Sequence, residues 1–217
     1  MMKCWRYKLD HDYGFAPNPF WGIMTLATCK EQIRKSSNLQ IGDWIVGLGS
    51  KSMGNIGHMI YAMKVEQIIT FDEYWNNPIY ACKRPVTNGT LCQMYGDNVY
   101  HTDQRTGKMI QEHSAHSISS NEPNMDHYKS DISGKNVILS KEFYYFGDHC
   151  PLLPKEYNYI SNIHNRGNRQ YSDLSEEQVK SFVSWLESKY TVGIHGDPCN
   201  WKEFNLPKLD IYDDGIE

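Results

Sequence analysis

From Lys3 to Leu9 the chain alternates, with Cys4, Arg6 and Lys8 on one face and Trp5, Tyr7 and Leu9 on the other. That period of two predicts a strand. Trp44 to Leu48 and Met59 to Ile69 carry the clearest further strand patterns, and Trp21 to Ala27 and Asn136 to Phe146 also read as strand. Within Met59 to Ile69, Tyr61, Met63 and Val65 alternate with Ala62, Lys64 and Glu66. The phase breaks at Gln67-Ile68-Ile69, which predicts a bulge or a bend round a barrel corner. Helical spacing is expected over Cys29 to Ser37, with Ile33 inward, Lys30, Arg34 and Lys35 outward, and Thr28 with Glu31 as a Thr-x-x-Glu capping box. Thr70 caps a short helix opening at Phe71, with Glu73 three residues on. The strongest helix is Glu176 to Lys189: Val179, Phe182, Val183 and Leu186 share a face, Ser175 caps, and Gln178 completes the box.

Between these elements lie an aromatic, proline-braced loop from Asp10 to Phe20 and a polar stretch from Asn76 to Gly134 with little periodicity. A Pro-, Asn- and Gly-rich excursion from Cys150 to Tyr171 contains Arg166-Gly167-Asn168-Arg169. No repeat or linker divides the chain. The expectation is one domain over 1–217, with an insertion at 76–134 and a C-terminal helix at about 175–190. A long irregular segment inside a compact domain is more often functional than accidental.

Hydrophobic content of 40% and charged content of 22% are those of a globular chain rather than a disordered one. The 15 Tyr, 7 Phe and 6 Trp favour strands and offer flat faces for stacking on bases, although a β-rich core alone absorbs most of them. A net charge of −4 argues against non-specific coating of nucleic acid, which needs many phosphate contacts, and leaves recognition of one base or nucleotide open. The six cysteines form no CxxC pair, the first residues do not resemble a signal peptide, and no apolar run is long enough for a membrane span. These features predict a cytoplasmic protein with free thiols and no membrane association.

The order of strand, helix, Gly-Asp strand, Gly/Ser loop, long strand and acidic-aromatic turn, from Met2 to Trp75, resembles the PUA-like superfamily that includes the ASCH, EVE and YTH domains. More finely, the chain is similar to the second of the families called nucleotide modification associated domains. The stretches that carry this are Tyr13-Gly14-Phe15-Ala16-Pro17-Asn18, Gly42-Asp43-Trp44-Ile45-Val46-Gly47, Phe71-Asp72-Glu73-Tyr74-Trp75, Gly96-Asp97-Asn98-Val99-Tyr100 and Tyr145-Phe146-Gly147. The resemblance implies an α+β fold built on a PUA-like, partly open β-barrel with flanking helices and a long polar insertion. It also implies a connection to altered nucleotides, without a reaction to carry across.

Gly49-Ser50-Lys51-Ser52 looks superficially like a phosphate loop, but Ser50 separates Gly49 from Lys51 and a strand follows, so it is not one. A looser role remains, with backbone amides of Gly47 to Ser50 on a base edge or oxyanion and Lys51 on a phosphate, against an ordinary hairpin loop. Asp10, Tyr13 and Asn18 follow the first strand and so belong near the same rim, Tyr13 to stack and Asn18 to read a base edge. Trp44, Asn98 and Tyr100 complete the expected lining, and Arg166 and Arg169 suit a phosphate or guanine edge. Asp97 and His113 are the acid-base candidates. His101, His113, His116 and His127 invite a metal, yet no tight set of Cys or carboxylate ligands accompanies them, so no metal and no cofactor is expected. Cys29 and Cys92 qualify as nucleophiles only where a base lies nearby, and the sequence points first to structural thiols.

The expected function is a nucleotide- or nucleobase-binding domain tied to modified DNA or RNA or to nucleotide metabolism, with aromatic stacking supplying affinity. An enzyme acting on a nucleotide or base by acid-base chemistry is the alternative, and a protein-interaction module the second.

Overall fold

The computed structural model describes residues 1–120, 122–163 and 173–204. Its strands are β1 (Cys4–Lys8), β2 (Met24–Leu26), β3 (Trp44–Leu48), β4 (Met59–Lys64), β5 (Gln67–Thr70), β6 (Tyr100–Thr102), β7 (Met109–Gln111), β8 (Ser117–Ser119), β9 (Glu122–Pro123), β10 (Asn136–Ser140), β11 (Phe143–Tyr145) and β12 (Gly193–Ile194). The helices are α1 (Glu31–Arg34), α2 (Phe71–Asn76), α3 (Leu91–Met94), α4 (Met125–Ser133), α5 (Asn158–Ser161) and α6 (Glu176–Lys189).

A five-stranded sheet runs in the order β1-β3-β4-β11-β12. β1 is parallel to β3, β4 is antiparallel to β3 and β11, and β12 is parallel to β11. β10 lies between β2 and β5 in a three-stranded antiparallel sheet, and β6–β7 and β8–β9 form two small pairs. The fold is α+β, as expected; among the described residues the strands form separate sheets and no closed barrel is found.

Both faces of the larger sheet are covered, which is why β3 is buried at every position. Trp5, Tyr7 and Leu9 pack with Ile45, Met63 and Tyr145 on one side. Cys4, Trp44 and Val46 pack with Val179, Phe182 and Leu186 of α6 on the other. Gly47 is required inside β3, because a Cβ there would stand 2.1 Å from the Tyr61 ring. The apolar stripe of α6 supplies four buried side chains, each worth roughly 1.5–3 kcal/mol. Its Ser175 cap, accepting from the Gln178 N–H at 3.2 Å, contributes about 1 kcal/mol more. Thr70 and Glu73 cap α2 in the same reciprocal way.

Four expectations need correction. Met59 to Ile69 is not one strand with a late bulge: β4 ends at Lys64 and β5 begins at Gln67 in the other sheet. The Glu66 carboxylate accepts the N–H groups of Lys141 and Glu142, drawing the chain to the β10–β11 turn. Trp21 to Ala27 narrows to β2, and Trp21 itself has φ 66°, outside strand geometry. The helix expected over Cys29 to Ser37 shrinks to α1; Thr28 does not cap it, because Cys29 (φ 53°) and Lys30 (φ 43°) take left-handed backbone and Lys30 occupies the cap position. Arg34 does not face outward; it is fully buried, for a reason the site supplies. The polar stretch at 76–134 folds into α2's last residue, α3, β6 to β9 and α4, the last capped by Asn124.

Candidate active site

Five segments wall a cavity of about 750 Å³: the loop after β1 from Leu9 to Ala16, the turn into α1 from Cys29 to Gln32, Tyr95 after α3, Ala115 and His116 before β8, and one face of α4. His127 and Asp131 lie four residues apart in α4, the spacing that puts two side chains on one helical face. The volume falls within the range of small-molecule sites, roughly 300–1,000 Å³.

At this cavity a thiol, an imidazole and a carboxylate stand in series. Cys29 Sγ is 3.7 Å from His116 Nε2, and His116 Nδ1 is 2.7 Å from Asp131 Oδ2. The other Asp131 oxygen accepts the Cys29 N–H at 2.6 Å, so one carboxylate ties both ends of the series together. Tyr100 donates its hydroxyl to Asp131 Oδ2 at 2.8 Å and itself accepts from Gln111 at 2.7 Å. Arg34 explains its burial here: Nε donates to the Cys29 carbonyl at 2.7 Å and Nη2 to the Asp131 carbonyl at 2.7 Å. Its Nη1 donates to the Asn136 carbonyl at 2.9 Å, and Asn136 returns a bond from Nδ2 to the Arg34 carbonyl at 2.8 Å. One guanidinium thus clamps the turn carrying the thiol to the helix carrying the carboxylate. Gly134 makes room for it, since a Cβ there would come 2.5 Å from Cζ of Arg34.

The electrostatics follow from this packing. Burial works against the His116 charge, but the bonds to Asp131 and Cys29 outweigh it and raise the imidazole to about 9. Burial likewise pushes the Asp131 carboxyl up, and the bond to and charge of His116, with Arg34 and Tyr100, overcome it and hold the group below its ordinary value. The His127 ring lies against that of His116, tilted by 31° with ring centroids 4.1 Å apart. Burial, and then the His116 charge, lower its pKa. Phe15 meets the His116 ring edge-on at 4.7 Å.

Cys29, His116 and Asp131 offer three metal-type ligand atoms within 4.8 Å of one another. Both ring nitrogens are already engaged, however, Nε2 by the Cys29 thiol and Nδ1 by the Asp131 carboxylate. The order is that of nucleophile, base and orienting group.

Tyr13 and Tyr95 line the same cavity and stack on each other at 5.4 Å with planes 12° apart. A strap just before and through Trp201–Glu203 holds this wall. Asn200 accepts the Asp12 N–H at 2.7 Å, Cys199 donates its N–H to Asp12 at 3.2 Å, and Trp201 donates its indole N–H to the Tyr13 carbonyl at 3.0 Å. Tyr145 donates to both Asp12 oxygens from below, at 2.8 and 2.7 Å.

Of the residues expected from sequence, Asp10 and Tyr13 line the cavity and Tyr100 supports it from behind. Asn18 is instead buried, its Oδ1 accepting from the Lys83 ammonium at 2.6 Å. Trp44 stacks on Tyr144 in the core beneath α6. The glycine loop offers no open cradle: Asn55 takes the Ser50 N–H at 3.0 Å, the His58 carbonyl takes the Gly49 N–H at 2.9 Å, and Asn55 fills the space a Gly49 Cβ would need. Lys51 is exposed and outside the cavity lining, although Ser52 reaches the Asp10 carbonyl at 3.4 Å. Asn98 is buried and spends its amide on the Tyr74 and Tyr80 carbonyls. Asp97 and His113 are not brought together: Asp97 is sealed against Thr25 and Tyr74, whereas His113 is exposed. Arg166 and Arg169 lie outside the described residues.

From sequence, Cys29 reads as a thiol in need of a base and His116 as half of a metal pair, with nothing to join them. Asp131, Lys30 and Arg34 do not emerge there as site residues. A carboxylate four residues after His127 is the available signal for Asp131.

The geometry defines an α+β protein with a thiol–imidazole–carboxylate relay in the wall of a cavity. No helix among the described residues is long and apolar enough to cross a membrane. The chain belongs to the family described as nucleotide modification associated domain 2, whose model matches residues 1–205. No curated protein and no solved structure matches it.

Proposed function

We propose that this protein is a thiol-dependent enzyme acting on an acyl group, an amide or ester carbonyl, of a modified nucleotide or nucleobase. The observation that carries the reading is the Cys29–His116–Asp131 series, in which each group lies where a nucleophile, its base and the orienting carboxylate must lie. His116, held protonated by its partners, keeps the pair's proton on Nε2 as the Cys29 sulfur bonds to the carbonyl carbon and the π pair moves to oxygen. When that pair returns, the C–N or C–O bond breaks and the leaving atom takes the proton from His116. Water or an amine then attacks the thioester, His116 receives its proton, and the Cys29–His116 pair is restored. A separation of 3.7 Å between sulfur and nitrogen suits a resting site that tightens on substrate.

The nucleotide part of the proposal rests on the family and on the Tyr13–Tyr95 wall, whose aromatic faces suit a base. Asp97 and His113 take no part in it. Kinship with PUA-like folds belongs to the same proposal and is supported by the Gly42-Asp43 entry into β3 and the β3–β4 hairpin. Binding of a base without turnover is the second reading, favoured by that same stacked wall.

The test is a panel of acyl-bearing nucleosides and nucleotides incubated with the protein and followed by mass spectrometry of both partners. A thioester on Cys29, or turnover that vanishes in Cys29→Ala at unchanged melting temperature, is the expected result. Undiminished turnover in Cys29→Ala defeats the mechanism. Ligand-induced thermal stabilisation with every ligand recovered intact and Cys29 unmodified favours the binding reading.

A further inference from the structure

Several lysines elsewhere in this fold have their charges met. Lys64 pairs with Glu142 at 2.8 Å and Lys180 with Glu176 at 2.9 Å. The buried Lys83 ammonium donates to the Asn18 carbonyl at 3.0 Å, the Asn18 side chain at 2.6 Å and the Ile23 carbonyl at 2.6 Å. Lys30 differs. It lines the cavity next to Cys29, and its Nζ sits 4.4 Å above the centroid of the Tyr7 ring. Among the described residues no carboxylate lies within 4.0 Å of that ammonium. Burial lowers its pKa, with Cys29, Asp10 and Glu31 acting in the opposite direction. Asp10 is exposed, so water screens it, and Glu31 already accepts a bond from Gln32 at 3.1 Å.

A largely desolvated cation, packed against an aromatic face and short of a counter-charge, gains most from an anion that arrives with the ligand. Its backbone points to function as well. Cys29 and Lys30 hold successive left-handed conformations without being glycine, and such strain collects at sites where geometry matters more than local stability. The consequence is that nucleophile and cation leave the chain from adjacent residues at one fixed turn, which the Arg34 bond to the Cys29 carbonyl braces.

We propose that Lys30 is the anion subsite of the Cys29 cavity, receiving a phosphate or carboxylate oxygen of the substrate beside the carbonyl that sulfur attacks. The assignment rests on the reading of Cys29 as nucleophile and adds a substrate class to it: acyl compounds carrying an anionic oxygen group near the reacting carbon.

Two alkylating reagents test it whatever the substrate is. Iodoacetate and iodoacetamide react alike, sulfur bonding to the CH2 carbon as iodide leaves with the electron pair, and they differ in charge. Labelling of Cys29 by each is followed by peptide mass spectrometry at neutral pH, with the exposed Cys82 as the internal reference. The rate ratio of iodoacetate to iodoacetamide is expected to fall about fivefold in Lys30→Met, the effect of about 1 kcal/mol for one charge pair near 4 Å in water. Lys30→Arg is expected to restore it. His116 is present in every variant, so its charge cancels in the comparison. An unchanged ratio in Lys30→Met overturns the subsite while leaving Cys29 as nucleophile. Labelling of Cys29 by iodoacetamide no faster than Cys82 overturns the nucleophile, and the subsite with it. A competition arm names the group: protection of wild type but not Lys30→Met by inorganic phosphate marks a phosphate subsite, and by acetate a carboxylate subsite. Protection by neither overturns the proposal.

Discussion

Of the carboxylates sunk into this protein, Asp97 and Asp131 are used in opposite ways. Asp97 accepts from Thr25 Oγ1 at 2.6 Å and Tyr74 OH at 2.8 Å, neutral hydroxyls that are themselves buried. Burial dominates there and pushes its pKa up, against the charge of Lys83. Asp131 accepts from an imidazole, a tyrosine and a backbone N–H, and its pKa goes down despite burial. The first network closes on itself and sews β2 to α2. The second ends at a half-buried sulfur facing a cavity. Burial of a carboxylate therefore says little about chemistry; what matters is whether its chain of hydrogen bonds terminates on a group that a ligand can reach.

Exchanging each carboxylate for an amide separates the two most sharply. Asp131→Asn is expected to slow iodoacetamide labelling of Cys29 by about a hundredfold, since a neutral amide no longer supports the charge on His116. Asp97→Asn is expected to leave that rate within about twofold and to appear in denaturant titration instead, as a loss of about 1–3 kcal/mol. Equal effects on labelling would erase the distinction.

Titration comes next in size. His116 rises from 6.5 to about 9 on folding, so the stability it contributes is full below pH 6.5 and is lost as pH climbs through about 9. Chemical denaturation at pH 6 and pH 10 should differ by about 3 kcal/mol from this source, and the difference should shrink in His116→Gln. On the acid side the carboxylates act with opposite signs. The contribution of Asp131 is present above its unfolded value of 3.8 and is lost as pH falls through its lowered folded value. Asp97, whose value rises on folding, makes the fold less stable as pH increases from 3.8 through its folded pKa.

Gly134→Ala probes the clamp rather than the relay. Its Cβ would stand 2.5 Å from the Arg34 guanidinium carbon, and Arg34 is fixed by three backbone carbonyls. A loss of about 1–3 kcal/mol in thermal or chemical melts is expected, with slower labelling of Cys29. Tyr100→Phe is the mildest: it removes one donor from Asp131 and leaves His116 and the Cys29 N–H in place, for about 0.5–1.5 kcal/mol.

Where local rules decide the outcome, the sequence is enough. β3 spans Trp44–Leu48 and α6 spans Glu176–Lys189 as their spacing predicts, and the Thr70 and Ser175 caps form as their side chains dictate. The relay is only half visible. Cys29 stands out as a thiol lacking a visible base, because His116 lies 87 positions away and no periodicity links them. Asp131 is hidden in a polar segment, on a helix whose one fully buried residue is a carboxylate beside the partly buried Tyr128 and Ile132. The charge of Arg34 assigns it to solvent, although its guanidinium donates to carbonyls on three different segments. Asp97 attracts notice for its Gly-Asp-Asn setting, which in the fold serves an internal seal.

The strap that grips Asp12 and Tyr13 ends at Glu203, two residues before the family match stops at 205. A boundary drawn after α6, the last long helix, would cut that grip while leaving both large sheets' long strands whole. Such a trimmed protein should still fold around its aromatic cores yet lose the Tyr13–Tyr95 wall, so anyone preparing a minimal version for crystallisation or screening should carry the chain through Phe204.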